Sequence, residues 1–191
     1  MSRAVFLDRD GVISAEIYYS HTGEWEAPLV PEDLALNPGA LEAMGQLAKL
    51  GYLLIIISNQ PAYAKGKTSL EALFAVHDQL VERAKHAGID FAECYYSYSH
   101  PEGIVPGFSG PSLERKPGTY FVRLAEARFA LEMAQSWFIG DRDTDIACGR
   151  SAGVRTIRVM QSRAGAKVGR EQPDFQVSDL AAAAQLIAET V

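Results

Sequence analysis

Short β-branched apolar runs alternate with longer stretches of helical spacing, and that alternation constrains the fold of this 191-residue chain more than any other feature. Ala4-Val5-Phe6-Leu7 reads as a buried strand that stops at Asp8. Residues 52–57, 91–97, 136–139 and 154–159 read the same way. Helices are expected over 38–50, 69–87, 119–130, 143–152 and 178–189. The first should start with Asn37 as N-cap and Pro38 at its first position, and stop at Gly51. The second should bury a stripe of Leu70, Leu73, Phe74, Leu80, Val81 and Ala84, and stop at Gly88. Strand–helix–strand connections of this length imply parallel pairing through right-handed crossovers. The expected fold is therefore α/β: a doubly wound, Rossmann-like, mostly parallel sheet with helices on both faces. The length suits one domain over residues 1–191. Segments 14–35 and 99–117 exceed ordinary connections and read as inserted loops that cover a substrate.

Eighteen basic against 24 acidic side chains leave a net charge of −6, the wrong sign for a general nucleic-acid or anionic-membrane partner. Residues 53–57 form the longest strongly apolar run, far too short to span a bilayer, and residues 1–10 lack the features of a signal peptide. Cys94 and Cys148 are the only cysteines, read as free thiols in a reducing compartment. A soluble, cytoplasmic monomer acting on a small molecule is the expectation. The stretch 161–173, with Arg163, Lys167 and Arg170, reads either as a connection or as a route for basic groups back to the site.

In open α/β sheets ligands bind beyond the carboxyl ends of the strands. Three polar clusters follow three expected strands: Asp8-Arg9-Asp10, Ser58-Asn59-Gln60, and Gly140-Asp141-Arg142-Asp143. Asp8 and Asp10, two residues apart at a strand end, repel each other unless a divalent cation or a shared proton intervenes. Gly11 then permits a sharp turn. Asp141 is placed to join Asp8 around one ion, and hard carboxylate oxygens suit Mg²⁺. Asp143 is expected to cap the following helix. The Ser58 hydroxyl and neighbouring amides can hold phosphate oxygens, and Lys116 in Arg115-Lys116-Pro117 offers a point charge.

Asp8-Arg9-Asp10-Gly11, Ser58-Asn59-Gln60, Arg115-Lys116-Pro117 and Gly140-Asp141-x-x-x-Asp145 resemble, in order and spacing, the four motifs of the haloacid dehalogenase (HAD) superfamily phosphatases, over roughly residues 4–160. The DRDG and SNQ forms are similar to the branch that holds heptose 1,7-bisphosphate and histidinol-phosphate phosphatases. The resemblance implies a HAD-like fold and a phosphomonoesterase acting on a sugar phosphate through an aspartyl-phosphate. It implies Asp8 as nucleophile and Asp10 as general acid and base. Ser58, Asn59, Arg115 and Lys116 would bind phosphate or substrate. Asp8, the Asp10 backbone carbonyl and Asp141 would hold Mg²⁺, with Asp145 and Arg142 in support.

That branch commonly carries a zinc loop, C-x-H-H-P … C-x-C-R-K-P. Here Ser97, Ser99, Ser112 and Glu114 fall at the ligand positions, so no structural zinc is expected. Tyr18, Tyr19 and Trp25 are candidates to stack on a sugar, with loop anchoring as the alternative. His100 is the most notable histidine, beside Pro101 in the second loop. Rival readings are a histidinol-phosphate phosphatase, a catalytically silent phosphate-binding protein, and a nucleotide enzyme built on Gly66-Lys67-Thr68. The last lacks the glycine its phosphate loop requires, because Pro61 stands there.

Overall fold

A computed structural model describes residues 2–160 and 169–190. The basic residues Arg163 and Lys167 therefore lie outside the described residues. Among these, strands β1 (Arg3–Leu7), β4 (Tyr52–Asn59), β5 (Glu93–Ser97), β6 (Trp137–Gly140), β7 (Arg155–Val159) and β8 (Phe175–Val177) form one sheet in the order β5-β4-β1-β6-β7-β8. Every pairing is parallel. A separate antiparallel hairpin, β2 (Ile17–Tyr19) with β3 (Glu24–Glu26), rises from the first inserted loop.

The α-helices among the described residues are α1 (Ala40–Lys49), α2 (Leu70–His86), α3 (Tyr120–Phe129), α4 (Asp143–Ala152) and α5 (Leu180–Glu189). Alternation along the central strands feeds two cores. Val5, Leu7, Leu54 and Ile56 pack with α1, α2 and α5. Ala4, Phe6, Ile55 and Ile57 pack with α3 and α4. Strands buried on both faces explain why their sequences read as continuous apolar runs. The sheet order reverses direction between β1 and β6, and in this architecture the crevice beyond the strand ends at such a point receives ligands. No helix among the described residues is long and apolar enough to cross a membrane.

Three local expectations are corrected. Asn37 does not cap α1: its side-chain amide donates to the carbonyls of Val12 (2.9 Å) and Ser14 (3.3 Å), and the helix starts after Gly39 at φ 73°. Asp143 does not cap α4. Asp145 accepts from the Arg142 backbone N–H at 2.9 Å, while Asp143 binds the Arg158 guanidinium and the backbone N–H groups of Arg170 and Glu171. Phe74 is 48% exposed, because α2 buries Leu73, Val76, Leu80 and Ala84 instead. The sequence reading also missed the hairpin and β8.

Candidate active site

β1 ends at Leu7, and the Asp8 backbone N–H still donates to the Ile139 carbonyl of neighbouring β6 (3.0 Å). That bond sets Asp8 beside Asp141, the residue that follows β6 at Gly140. A side chain at Gly140 would collide with Asp145, whose Cβ lies 2.2 Å from the position a Cβ would take. The glycine thus lets α4 bring Asp145 against the strand end. Asp8, Asp141 and Asp145 each place one carboxylate oxygen within 4.8 Å of the others.

Lys116 enters from the second inserted loop. Its ammonium is 1% exposed and lies 2.6 Å from Asp145 and 3.1 Å from Asp8, and it donates to the Ile57 carbonyl at 2.7 Å. Burial works against its charge, but Asp145 and then Asp8 outweigh it and hold its pKa above the ordinary lysine value. Asn59 keeps this segment in place with both ends of its amide: Nδ2 donates to the Lys116 carbonyl and Oδ1 accepts the Lys116 N–H. Lys116 among them and Arg142 Nε, 3.9 Å from Asp141, do not cancel the crowding of three acids. The Asp141 carboxyl is pushed well above the usual range, first by burial and then by Asp145 and Asp8; Asp145 is raised first by burial.

Asp10 faces a different set of partners. One carboxylate oxygen accepts from Arg9 Nε (2.9 Å) and Ser14 Oγ (3.0 Å), the other from Gln60 Nε2 (2.5 Å). The same Gln60 nitrogen donates to Ser58 Oγ (3.0 Å). Gly11, at φ 83°, turns the chain sharply here, and its N–H reaches the Ser14 carbonyl at 2.7 Å.

Asp8, Asp10, Ser58, Asn59, Arg115, Lys116 and Arg142 all line one cavity of about 240 Å³. Arg115 donates to the Ser99 carbonyl and stands near Arg142; burial and then Arg142 lower its pKa. The hairpin closes one side with Glu24, Trp25 and Glu26, and Glu16 pairs with the Arg142 guanidinium. Lys67, the residue behind the nucleotide-enzyme reading, is held by Glu24 (2.7 Å) and Glu26. Of the three aromatics, Trp25 lines the cavity, with Tyr18 tilted against it at 5.6 Å. Tyr19 is a loop anchor: its hydroxyl donates to Asp33 and accepts the Leu29 N–H.

The second loop docks through Ile104 N–H to the Ala64 carbonyl (2.7 Å) and an edge-on contact of Tyr63 with Phe108 (4.9 Å). His100 serves a turn there, accepting the Glu102 N–H, and it does not line the cavity. Glu16, Gln60 and the role of Arg9 escaped the sequence reading, although Gln60 and Arg9 sit inside the motifs. Among the described residues the Asp8, Asp141, Asp145 group is the one set of three or more His, Cys, Asp or Glu gathered closely enough for a metal ion. Asp145 therefore joins the candidate ligand set directly, whereas the Asp10 carboxylate turns to Arg9, Ser14 and Gln60.

A family model of HAD-hydrolase-like proteins matches residues 113–183. The chain is 36% identical over 194 residues to the D-glycero-D-manno-heptose-1,7-bisphosphate 7-phosphatase of Thermosynechococcus vestitus, covering 96% of this chain and 94% of that protein. It is 30% identical over 152 residues to the D-glycero-alpha-D-manno-heptose-1,7-bisphosphate 7-phosphatase of Photorhabdus laumondii, covering 80% and 79%. The fold matches the crystal structure of D,D-heptose 1,7-bisphosphate phosphatase from B. bronchiseptica, complexed with magnesium and phosphate, with a TM-score of 0.76 at 22% identity over 99% of both chains.

Proposed function

The chain belongs to the HAD superfamily of phosphatases, among relatives of the heptose-bisphosphate branch, and from that premise we propose that it is a Mg²⁺-dependent phosphomonoesterase acting on a small sugar phosphate, heptose 1,7-bisphosphate or a close analogue. What supports the reading is the convergence of Asp8, Asp141 and Asp145 on one point, with Lys116 between Asp8 and Asp145 and Asp10 in the same cavity.

The residues fit the ion. Three carboxylates crowd together, and burial and mutual repulsion raise the Asp141 pKa, the condition a hard divalent cation relieves. Asp8, Asp141 and Asp145 would hold Mg²⁺, with the Asp10 backbone carbonyl as a further donor. When bound, the ion neutralises phosphoryl oxygens so that a carboxylate can approach phosphorus.

The protein's own groups carry the two steps. An Asp8 oxygen attacks phosphorus and the bond to the sugar oxygen breaks. The Asp10 carboxyl gives that oxygen its proton. Asp10, now a carboxylate, takes a proton from water as the water oxygen attacks the aspartyl-phosphate. The Asp8–phosphorus bond breaks, releasing phosphate and restoring both acids. Lys116 and Ser58 hold the phosphoryl oxygens, Arg115 and Asn59 border them, and Arg142 is kept at the rim by Glu16.

Phosphate release from sugar phosphates and bisphosphates, including both heptose bisphosphate anomers and histidinol phosphate, tests the reading. Release that prefers one sugar phosphate, needs Mg²⁺ and stops with EDTA is expected. Release indifferent to EDTA refutes the metal dependence. Silence of a folded, Mg²⁺-loaded protein across the panel favours a phosphate-binding protein. Asp10→Asn is expected to slow hydrolysis of the best alkyl phosphate by ~10²–10⁴-fold, the usual worth of general acid–base catalysis. An unchanged rate removes that role from Asp10.

A further inference from the structure

We propose that Arg9 and Gln60 are positioning residues that lock the Asp10 carboxylate in a closed cycle of hydrogen bonds and so choose the oxygen that carries its proton. The inference rests on the acid–base reading of Asp10 and deepens it. Arg9 Nε donates to Asp10 Oδ1 (2.9 Å) and Gln60 Nε2 donates to Asp10 Oδ2 (2.5 Å). Arg9 Nη2 donates to Gln60 Oε1 (2.7 Å), which closes the ring. All three groups are planar, so rotating the carboxylate breaks two bonds at once. Arg9 and Gln60 are each 1% exposed, and water does not compete for these contacts.

The cycle is supported on its Arg9 side. The Arg9 guanidinium lies 5.7 Å from the Tyr96 ring centroid, and the Tyr96 hydroxyl meets His77 Nδ1 at 3.0 Å. A guanidinium buried this deeply needs its partners, which ties its position to Asp10 and Gln60.

The two carboxylate oxygens are not equivalent. Among the described residues Oδ1 faces two donors, Arg9 Nε and Ser14 Oγ; the hydroxyl's single proton has the shorter contact to Oδ1 (3.0 Å) and a longer one to the Arg9 carbonyl (3.3 Å). Oδ2 accepts from Gln60 alone, so its second lone pair remains for a proton. The same Gln60 nitrogen donates to Ser58 Oγ, which sets Oδ2 beside the hydroxyl proposed to hold the phosphoryl group. Oδ2 is thus the oxygen that protonates the leaving alcohol and later deprotonates water. Its alignment depends on Arg9, behind the carboxylate, and on Gln60, at the wall of the same cavity.

p-Nitrophenyl phosphate separates this role from a merely structural one. Its leaving group departs without a proton, so only hydrolysis of the aspartyl-phosphate then needs Asp10 as base. Gln60→Met is expected to release a burst of p-nitrophenolate approaching one per chain, then turn over ~10²-fold more slowly, with phosphoryl trapped on the protein. Arg9→Met is expected to behave alike and Arg9→Lys to recover part of the rate. Wild type should show no burst. Equal loss of both phases, or wild-type turnover in Gln60→Met, overturns the proposal. If Arg9→Met melts or fails to fold by circular dichroism, the charge-neutral Gln60→Met decides. Asp10→Asn run alongside keeps two failures apart. A burst there without one in Gln60→Met sinks only the positioning role, and no turnover by wild type sinks the phosphatase reading beneath it.

Discussion

Asp8→Asn is expected to lower phosphate release by roughly 10⁴–10⁶-fold, the range seen when one member of a catalytic unit is removed. An amide has the shape of the carboxylate but lacks its negative charge, and its neutral oxygen is too weak a nucleophile to attack phosphorus. The fold should persist. The Asp8 backbone bond to Ile139 does not involve the side chain, and an amide oxygen can still accept the Arg9 N–H that Asp8 Oδ1 accepts at 2.8 Å. Lys116 keeps its shorter contact, 2.6 Å to Asp145. The substitution also removes one of three mutually repelling charges, so thermal stability without metal should equal or exceed that of wild type. The checks are steady-state phosphate release, a melting curve, and a search for protein-bound phosphoryl after denaturation, which Asp10→Asn should accumulate and Asp8→Asn not show at all. Residual turnover within about 100-fold of wild type in pure protein would move the nucleophile elsewhere.

The strand-end carboxylates were legible for a physical reason. A parallel sheet with short connections forces polar residues after each buried run onto one rim, and that is enough to single out Asp8 and Asp141. The reversal point between β1 and β6, which makes them neighbours, belongs to the sheet order and comes from the structure. Lys116 was readable as a motif, but not its depth, because nothing local shows a lysine reaching a carbonyl 59 residues back at Ile57. Arg9 was opaque for the opposite reason. Simple alternation would turn it away from Asp8 and Asp10, yet the strand has ended and the Gly11 turn folds its side chain back onto Asp10. Asn37 failed as a cap because that same turn leaves the Val12 and Ser14 carbonyls within reach of its amide, a tertiary contact that overrides a local preference. The hairpin and β8, at three residues per strand, are too short for a periodic signal.

Lys116→Met should produce the largest loss of stability, about 3–5 kcal/mol in urea unfolding, because it leaves carboxylates buried without their cation. Asp145 is fully buried and loses a partner at 2.6 Å; Asp8 loses one at 3.1 Å. The sign of the pH dependence follows from the directions of the shifts. The folded lysine titrates above its unfolded value, so its contribution is whole below about pH 10.4 and is withdrawn only as pH rises through the folded pKa. On the lysine's account the deficit should be flat from pH 6 to 9. On the acid side it should shrink, because carboxylates whose folded pKa is raised bind protons more readily in the folded state, and protonation relieves the uncompensated charge. Adding Asp145→Asn to Lys116→Met should return part of the lost stability, since an amide oxygen can still accept the Arg142 N–H that caps α4 while one stranded charge disappears. It should not return activity. The phosphoryl oxygens would still lack the Lys116 charge, at a cost on the order of 10²–10³-fold in turnover. Stability and turnover recovering together would reduce Lys116 to a structural counter-ion. Because Asp145→Asn also removes a candidate Mg²⁺ ligand, stability recovering alone would establish only the role of Lys116 as counter-ion to Asp145 beneath the site, and its role toward the phosphoryl group would be read from turnover of Lys116→Met alone at saturating Mg²⁺.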